Sequence, residues 1–361
     1  MMSKSEMPAV KDLQQKPGLL LVGSFLSRTL GVRSVSEDLA QQLTTSGYPV
    51  WLTSQRTSRF ARLLDMLISI WRHRRQYDLA LVEVFSGLAF VWAEISCWLL
   101  NRLGKLYILT LHGGNLPQFA LRWPGRIHRL LASASCITVP SPYLLEKMRP
   151  YAPDLRLLPN PLEIQKYPFR LREAPLPRLI WLRAFHQVYN PGLAPQVLSL
   201  LLDLFPSASL IMVGPDKGDG SLQETKQIAS GLGVMDRLTL PGAVAKDQVP
   251  TWLNKGDIFL NTTNFDNTPV SVLEAMACGL CVVSTQVGGL PYLLEHEKDS
   301  LLVPANDPAA MSSAVRRLLG TPNLSVSISQ NARLKAEGLD WGTVFPLWQD
   351  LITEVNEQTR A

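Results

Sequence analysis

The chain has 361 residues, of which 46% are hydrophobic and 18% are charged, and its formal net charge is +5. This length corresponds to about two and a half typical domains, so we expect separate hydrophobic cores and exclude a lone small binding module. The apolar composition excludes a disordered chain. The small positive charge suits an anionic small substrate or a membrane surface and does not indicate nucleic-acid binding.

The first 18 residues are polar and lack the apolar core and cleavage pattern of a signal peptide, which predicts a cytoplasmic protein. The apolar stretch 79–100 is close to membrane-spanning length. However, Glu83 and Glu94 would each cost about 2.5 kcal/mol or more near a bilayer centre. A break at Ser86 and Gly87 favours a buried strand followed by a buried helix. The four cysteines are too widely spaced for a disulfide framework, and we expect reduced core residues at Cys97, Cys136, Cys278 and Cys281.

Short apolar runs alternate with helix-length segments along the chain, which is typical of parallel β-α-β units. In the first half, strands are predicted near 18–23, 49–53, 78–84, 105–111, 135–139 and 154–158. In the second half, they are predicted near 178–182, 209–213, 237–240, 257–260, 280–284 and 300–303. Five prolines within 159–177 mark an interdomain linker.

This pattern predicts an α/β protein with two tandem Rossmann-like domains, at residues 1–165 and 166–340. Ligands in such folds bind at the carboxyl ends of the strands, so we expect the functional residues in a cleft between the domains. Residues 341–361 form the last predicted unit, a closing helix that crosses back to the first domain. Pro346 indicates that this helix is kinked or begins late.

A second amphipathic segment spans residues 59–75. Its predicted apolar face consists of Phe60, Leu63, Leu64, Leu67, Ile68 and Trp71. Its other face gathers Arg59, Arg62, Arg72, Arg74 and Arg75. Two interpretations stay open: an ordinary domain helix that buries its apolar face, or a basic helix that lies peripherally on the inner face of an anionic membrane.

The most informative stretch is 264–290, NFDNTPVSVLEAMACGLCVVSTQVGGL. Thr268 and Pro269 predict a helix start, because threonine caps helices and proline tolerates the first helical position. The next amides, of Val270 and Ser271, together with the Ser271 hydroxyl, would lie at the positive end of the helix dipole. A phosphate group is readily bound at such a helix end.

Two acidic residues flank this helix start. Asp266 lies in the preceding loop and Glu274 lies inside the helix. Carboxylates accept hydrogen bonds from sugar or ribose diols, so acids on both sides of a phosphate site suit a nucleotide-sugar. Taken alone, the two acids also fit a turn aspartate and a solvated helical glutamate.

This stretch resembles the donor-binding motif of the family 4 retaining glycosyltransferases of the GT-B fold, in which seven residues separate two acids. Further segments agree in order: Gly31 and Arg33, TLHGG at 110–114, LPNP at 158–161, WLRAF at 181–185 and LIMVG at 210–214. The resemblance covers about residues 19–351. It implies transfer of a hexose from a UDP- or GDP-sugar to a glycan or lipid-linked acceptor in surface polysaccharide synthesis, with retention of configuration. We expect no cofactor, no metal and no nucleic-acid partner.

The resemblance also implies roles for individual residues. The predicted catalytic residues are Asp266, which would face the transferred sugar, and His112, beside the donor sugar and the acceptor. Glu274 would hold the ribose and Arg183 the diphosphate. The other predicted donor-binding residues are Gly31, Lys217, Asn267, Thr268, Pro269, Val270 and Ser271.

Two positions depart from the family pattern. Asp266 stands where the family usually has glutamate, and Asn190 lies near the place of a family lysine. Lys217 either replaces that lysine or is a solvated surface residue. These departures keep open a non-catalytic GT-B scaffold subunit, and a nucleotide-sugar epimerase or a phosphorylase on the same fold is a further alternative.

Overall fold

A computed structural model of the protein describes residues 16–26 and 34–357. The strands of the first half are β1 (Leu19–Ser24), β2 (Val50–Ser54), β3 (Leu79–Val84), β4 (Leu106–Leu111), β5 (Cys136–Val139) and β6 (Leu155–Leu157). Those of the second half are β7 (Arg178–Leu182), β8 (Ser209–Val213), β9 (Leu238–Gly242), β10 (Ile258–Asn261), β11 (Cys281–Thr285) and β12 (Leu301–Val303). Each predicted strand is confirmed, with its ends within two residues of the expected positions.

The strands form two parallel six-stranded sheets. Sheet 1 has the order β2-β1-β3-β4-β5-β6, and sheet 2 has the order β12-β11-β10-β7-β8-β9. The strand order therefore reverses between β1 and β3 in sheet 1 and between β7 and β10 in sheet 2. Such reversal points open a crevice at the carboxyl ends of the strands, where ligands bind in doubly wound sheets.

Helices cover the sheets on both faces, as all-parallel sheets require. In the first half they are α1 (Val35–Thr45), α2 (Arg59–Arg72), α3 (Leu88–Arg102), α4 (Leu116–Arg122), α5 (Pro124–Leu131) and α6 (Pro142–Met148). In the second half they are α7 (Leu193–Leu201), α8 (Ser221–Gly231), α9 (Val249–Leu253), α10 (Val270–Ala277), α11 (Leu290–Leu293), α12 (Pro308–Gly320), α13 (Pro322–Glu337) and α14 (Trp341–Glu357).

Helix α14 crosses back to the first half of the chain, as the aromatic pattern predicts. Its Trp348 and Ile352 share a buried core with Leu19 of β1 and Leu43 of α1. The helix begins at Trp341 and includes Pro346. The expectation of a late start is therefore wrong, because the packing of this helix on sheet 1 outweighs the hydrogen bond that a proline removes.

The proline-rich linker is packed against sheet 2. Leu162, Ile164 and Tyr167 belong to the buried core on one face of that sheet. The Leu162 amide donates a hydrogen bond to the Leu339 carbonyl at 2.8 Å. The linker thereby brings Tyr167, which is 4% exposed, next to helix α10.

The apolar stretch 79–100 is strand β3 followed by most of helix α3. The strand is buried as expected, whereas the helix is buried on one face only and exposes Leu88 and Trp98. No helix in the described part of the chain is long and apolar enough to span a membrane. The four cysteines are free thiols. Cys97, Cys278 and Cys281 are buried, whereas Cys136 is half-buried.

A buried carboxylate fixes the start of β10. Asp257 is 1% exposed and accepts hydrogen bonds from Arg170 at 2.6 Å and from Arg178 at 2.7 Å. Arg172, whose side chain is fully buried, lies 3.5 Å from the same carboxylate. Burial raises the pKa of Asp257, but hydrogen bonds from Arg178 and Arg170 outweigh it and hold this pKa below its ordinary value.

Candidate active site

The carboxyl ends of the two sheets enclose a cleft of about 660 Å³. Sheet 1 contributes loops after β3, β4 and β5, and sheet 2 contributes loops after β7 and β10. The lining residues are Phe85, Ser86, His112, Gly113, Gly114, Asn115, Pro140, Asn160, Val188, Tyr189, Phe265, Asp266, Asn267 and Thr268. Of the predicted site residues, the fold thus brings His112 from one sheet and Asp266, Asn267 and Thr268 from the other to a single cleft.

Arg183 and Asp266 lie together at the reversal point of sheet 2. Arg183 follows β7, Asp266 follows β10, and the Arg183 guanidinium donates a hydrogen bond to the Asp266 carboxylate. The guanidinium also lies over the Tyr189 ring, 4.4 Å from its centroid. Burial lowers the pKa of Arg183, and Tyr189 and Glu274 act in the opposite direction. A diphosphate that approached Arg183 would therefore share this cation with Asp266.

Two glycines set the position of the acidic loop. A Cβ atom at Gly288 would lie 2.1 Å from the Asp266 carbonyl oxygen, and one at Gly289 would lie 2.1 Å from the Asn267 carbonyl oxygen. The Gly289 amide donates a hydrogen bond to the Asp266 carbonyl at 2.8 Å. The φ angle of Gly288 is +56°, which other residues rarely adopt. The VGG segment is therefore a backbone support for Asp266.

Helix α10 presents an uncapped amino terminus. Its first residue is Val270 and its N-cap is Pro269, with no side-chain capping bond. The prediction of a Thr268 cap and a Pro269 start is therefore wrong by one residue, because Pro269 takes an extended conformation with ψ of 118°. The buried Ser271 hydroxyl has no hydrogen-bond partner among the described residues. A buried polar atom at a free helix amino terminus fits a phosphate group.

Glu274 is buried behind this helix terminus, with 4% exposure. Its Oε1 accepts hydrogen bonds from the Tyr167 hydroxyl at 2.7 Å and from the Lys246 ammonium at 2.5 Å. The alternative of a solvated helical glutamate is therefore wrong. Burial, followed by the charge of Glu274, raises the pKa of Tyr167, so this hydroxyl remains a donor at neutral pH.

Sequence reasoning missed both partners of Glu274. Tyr167 belongs to the linker, and Lys246 lies in a 3₁₀ turn, Lys246–Gln248, after β9. The two are 107 and 28 positions from Glu274. The linker contains two aromatic residues, Tyr167 and Phe169, and these aromatic residues are the one signal that the sequence offered.

His112 lies where β4 ends, and its backbone amide donates a hydrogen bond to the Val84 carbonyl at 2.7 Å. Its ring stacks on Phe85 with centroids 5.0 Å apart. Nε2 of His112 lies 3.7 Å from Glu83 Oε1 and has no hydrogen-bond partner within the described residues. Burial lowers the pKa of His112 to about 4, so the imidazole is neutral at physiological pH.

The remaining residues that the sequence singled out have different outcomes. Gly31 falls outside the described residues. Lys217 is exposed after β8 and is not among the described residues that line the cleft. Asn190 bonds to Asn306 at 2.9 Å. Asn267 accepts a hydrogen bond from the Ser141 hydroxyl at 2.6 Å, which joins the two halves of the chain beside the acidic loop.

The described residues contain no cluster of three or more histidine, cysteine, aspartate or glutamate side chains with the spacing of a metal site. Among the described residues, the Arg183 guanidinium and the free amides of α10 lie beside the acidic loop. Both can stabilise negative charge on a phosphate by fixed electrostatics.

Comparisons with known proteins show what this chain is similar to. Residues 178–321 match the family model for glycosyl transferases group 1. A D-inositol 3-phosphate glycosyltransferase of Streptomyces avermitilis is 27% identical over 181 residues, which cover 47% of this chain and 39% of that protein. An amylovoran biosynthesis glycosyltransferase of Erwinia amylovora is 29% identical over 185 residues, covering 49% of this chain and 44% of that protein. The alignments thus span less than half the length of either relative.

Two solved structures share the overall architecture. Sucrose-phosphate synthase of Thermosynechococcus elongatus has a TM-score of 0.77 and 17% identity, over 94% of this chain and 99% of that chain. The Anabaena protein HepE, in complex with UDP and glucose, has a TM-score of 0.69 and 15% identity, over 95% of this chain and 98% of that chain. Identities this low establish the fold alone. The chain thus has the GT-B fold, and its residues 178–321 are similar to the glycosyl transferases group 1 family.

Proposed function

We propose that this protein is a retaining glycosyltransferase that moves a hexose from a nucleotide-diphosphate sugar to a glycan or lipid-linked acceptor. One observation carries the proposal. Asp266, Arg183 and the uncapped terminus of α10 converge at one reversal point, with Glu274 buried behind them. This set provides contacts for a sugar, a diphosphate and a ribose within the reach of one nucleotide-sugar.

The proposed chemistry is electrostatic. The bond between the sugar and the diphosphate breaks as negative charge grows on the leaving phosphate. Arg183 and the amino terminus of α10 stabilise that charge, and Asp266 faces the positive centre that develops on the sugar. Neutral His112 lies across the cleft, where it can bond to hydroxyl groups of the donor sugar or the acceptor. Retention requires the acceptor hydroxyl to attack on the face from which the diphosphate leaves, and on that face the hydroxyl proton can pass to the departing phosphate oxygen.

Known proteins support a donor class and a biosynthetic role for this proposal. One solved neighbour binds UDP and glucose, which favours UDP-glucose as the first donor to test, with GDP-sugars next. A relative named for amylovoran biosynthesis supports a role in surface polysaccharide synthesis.

A thermal-shift panel of UDP-, GDP- and ADP-sugars tests the proposal. A donor at about 100 times its Kd stabilises the folded state by about 2.7 kcal/mol, which raises the unfolding midpoint. Glu274→Ala should abolish this rise, whereas Glu163→Ala on the exposed linker turn should keep it. A panel in which no nucleotide-sugar shifts the wild-type midpoint would favour a scaffold subunit. Turnover that survives Glu274→Ala would contradict the role proposed for Glu274.

We also propose that turnover needs no divalent ion, because Arg183 and the α10 terminus provide the positive charge. Activity measured in excess EDTA should equal activity in magnesium within about twofold. A loss of activity in EDTA that added metal restores would contradict this.

Helix α2 supports a peripheral membrane contact. Four apolar side chains at helical spacing face solvent, and the most exposed is Phe60 at 91%. The others are Leu64, Ile68 and Trp71. Met66 and Ile70 face the sheet, so the helix satisfies its core contacts and still presents an outer apolar stripe. Arg59 and Arg72 flank this stripe in sequence, which favours an anionic lipid surface.

Liposome flotation tests this contact. Wild-type protein should float with vesicles in which about a third of the lipid is anionic, and it should not float with neutral vesicles. Replacing Phe60 and Leu64 by serine should reduce flotation without lowering the unfolding midpoint, because both side chains are exposed. If the wild-type protein stayed at the bottom of the gradient both with and without anionic vesicles, the contact would be excluded.

A further inference from the structure

The reversal point of sheet 1 carries a buried acid that the glycosyl-transfer scheme above does not use. Glu83 is the one charged residue of strand β3, LALVEV. Its side chain is 12% exposed. Strand alternation places it on the same face as Leu79 and Leu81, which is the face covered by α1 and α14. A carboxylate in such an apolar setting requires a specific partner or role.

The surrounding residues accommodate this carboxylate with a hydrogen bond and with space for the side chain. The Ser36 hydroxyl of α1 donates a hydrogen bond to Glu83 Oε1. A Cβ atom at Gly23 of β1 would come within 2.1 Å of Glu83 Oε2, so glycine at this position leaves room for the acid. Among the described residues, two titratable groups face Glu83. They are Glu37 of α1 and His112 at the end of β4. Glu83 and His112 both line a small cavity, to which helix α14 contributes Trp348.

His112 connects this acid to the cleft. The ring lines both the cavity that contains Glu83 and the larger cleft that contains Asp266. Its Nε2 is buried, lacks a hydrogen-bond partner in the described part of the chain, and lies 3.7 Å from Glu83 Oε1. A small rotation of either side chain would close this gap to a hydrogen bond.

We propose that Glu83 is a positioning residue that, when ionised, accepts a hydrogen bond from Nε2–H of His112 and thereby fixes the tautomer and orientation of the ring. Nδ1 then lacks a proton and is a hydrogen-bond acceptor. When Glu83 is protonated, its O–H donates to Nε2 instead, and the ring proton moves to Nδ1. The effect on turnover rests on the proposed function, whereas the tautomer does not.

Burial places the change in the charge of Glu83 within the physiological pH range. It raises the pKa of Glu83 to about 7, against opposing hydrogen bonds from Ser36 and Ser24. His112 stays neutral over the same range, because burial lowers its pKa to about 4. The carboxyl group therefore changes its charge near neutral pH while the imidazole changes only its tautomer.

Nitrogen NMR of the histidine rings tests the proposal on the full chain. The sequence has five histidines, and His112→Gln identifies the ring of interest by the loss of its signal. Between about pH 5.5 and 8.5, we expect a neutral ring that changes from the Nδ1–H to the Nε2–H form, with a midpoint near pH 7. Glu83→Gln should abolish this step. Glu94→Gln, which removes an acid paired with Arg126 on α5, should leave it unchanged.

A wild-type ring that shows a pH-independent mixture of tautomers would overturn the proposal, even if the Glu83→Gln variant fails to fold. An unchanged step in a folded Glu83→Gln protein would overturn it as well. With a donor identified, Glu83→Gln should lower kcat about tenfold, remove the pH dependence near neutrality and leave the donor KM unchanged. Absence of any donor turnover by the wild type would contradict the proposed function and leave the NMR result to decide the role of Glu83.

Discussion

Replacing Gly289 by alanine tests whether the VGG segment holds Asp266 in place. The φ angle of Gly289 is −83°, which alanine adopts without strain, so the substitution introduces only a steric contact. The new Cβ would lie 2.1 Å from the Asn267 carbonyl oxygen, and ordinary contact begins at 3.4 Å. The two backbones must therefore separate by about 1.3 Å (3.4 − 2.1).

A displacement of this size should affect catalysis more than stability. Misplacement of reacting groups by about 1 Å can cost on the order of 100-fold in rate, whereas overpacking typically costs about 1–3 kcal/mol in the free energy of unfolding. We therefore expect Gly289→Ala to lower kcat/KM for the donor by on the order of 100-fold and to remain folded at about 25 °C. Steady-state kinetics and urea unfolding measure the two quantities.

Gly231→Ala is the matched control. Gly231 is the last residue of α8, and no heavy atom lies within 4 Å of a Cβ built there. This variant should keep wild-type kcat/KM and unfold at an equal or slightly higher urea concentration. If folded Gly289→Ala also kept its kcat/KM within about twofold, the VGG segment would not determine the position of Asp266.

Three further outcomes are expected. Tyr167→Phe removes one of the two hydrogen bonds to Glu274 and should weaken donor binding by on the order of tenfold, measured by calorimetry. Lys217→Met should change donor affinity by less than about threefold in the same assay, because this lysine is exposed and outside the cleft lining; a larger loss would show that it replaces the missing family lysine. Asp257→Asn leaves buried Arg172 without a charged partner and should cost about 3–5 kcal/mol in urea unfolding, whereas Asp236→Asn on the surface should cost much less. Since the pKa of Asp257 is depressed in the folded state, its contribution is present above the unfolded pKa and is lost as the pH falls through the folded value. A destabilisation by Asp257→Asn that does not shrink as the pH falls below the unfolded pKa of about 3.9 would contradict this assignment.

Local sequence patterns were sufficient to predict the strands, their division into two sheets and the acidic motif. These are local properties: a buried parallel strand needs a short apolar run. The spacing of Asp266, Pro269 and Glu274 specifies a loop, a helix terminus and a helical acid within nine residues. The return of α14 to sheet 1 was also predictable, because its aromatic face needs an apolar surface.

The contacts between side chains from distant segments depend on how the chain folds. Tyr167 and Lys246 reach Glu274 across 107 and 28 positions, and Glu83 lies beneath His112 because β3 and β4 are adjacent in sheet 1. The sequence likewise offered no means to decide which side of α2 faces solvent. Hydrophobic periodicity specifies that a helix has an apolar face, but the neighbouring elements decide how much of that face they cover. Contacts between distant segments depend on strand order and helix packing, which no local pattern encodes.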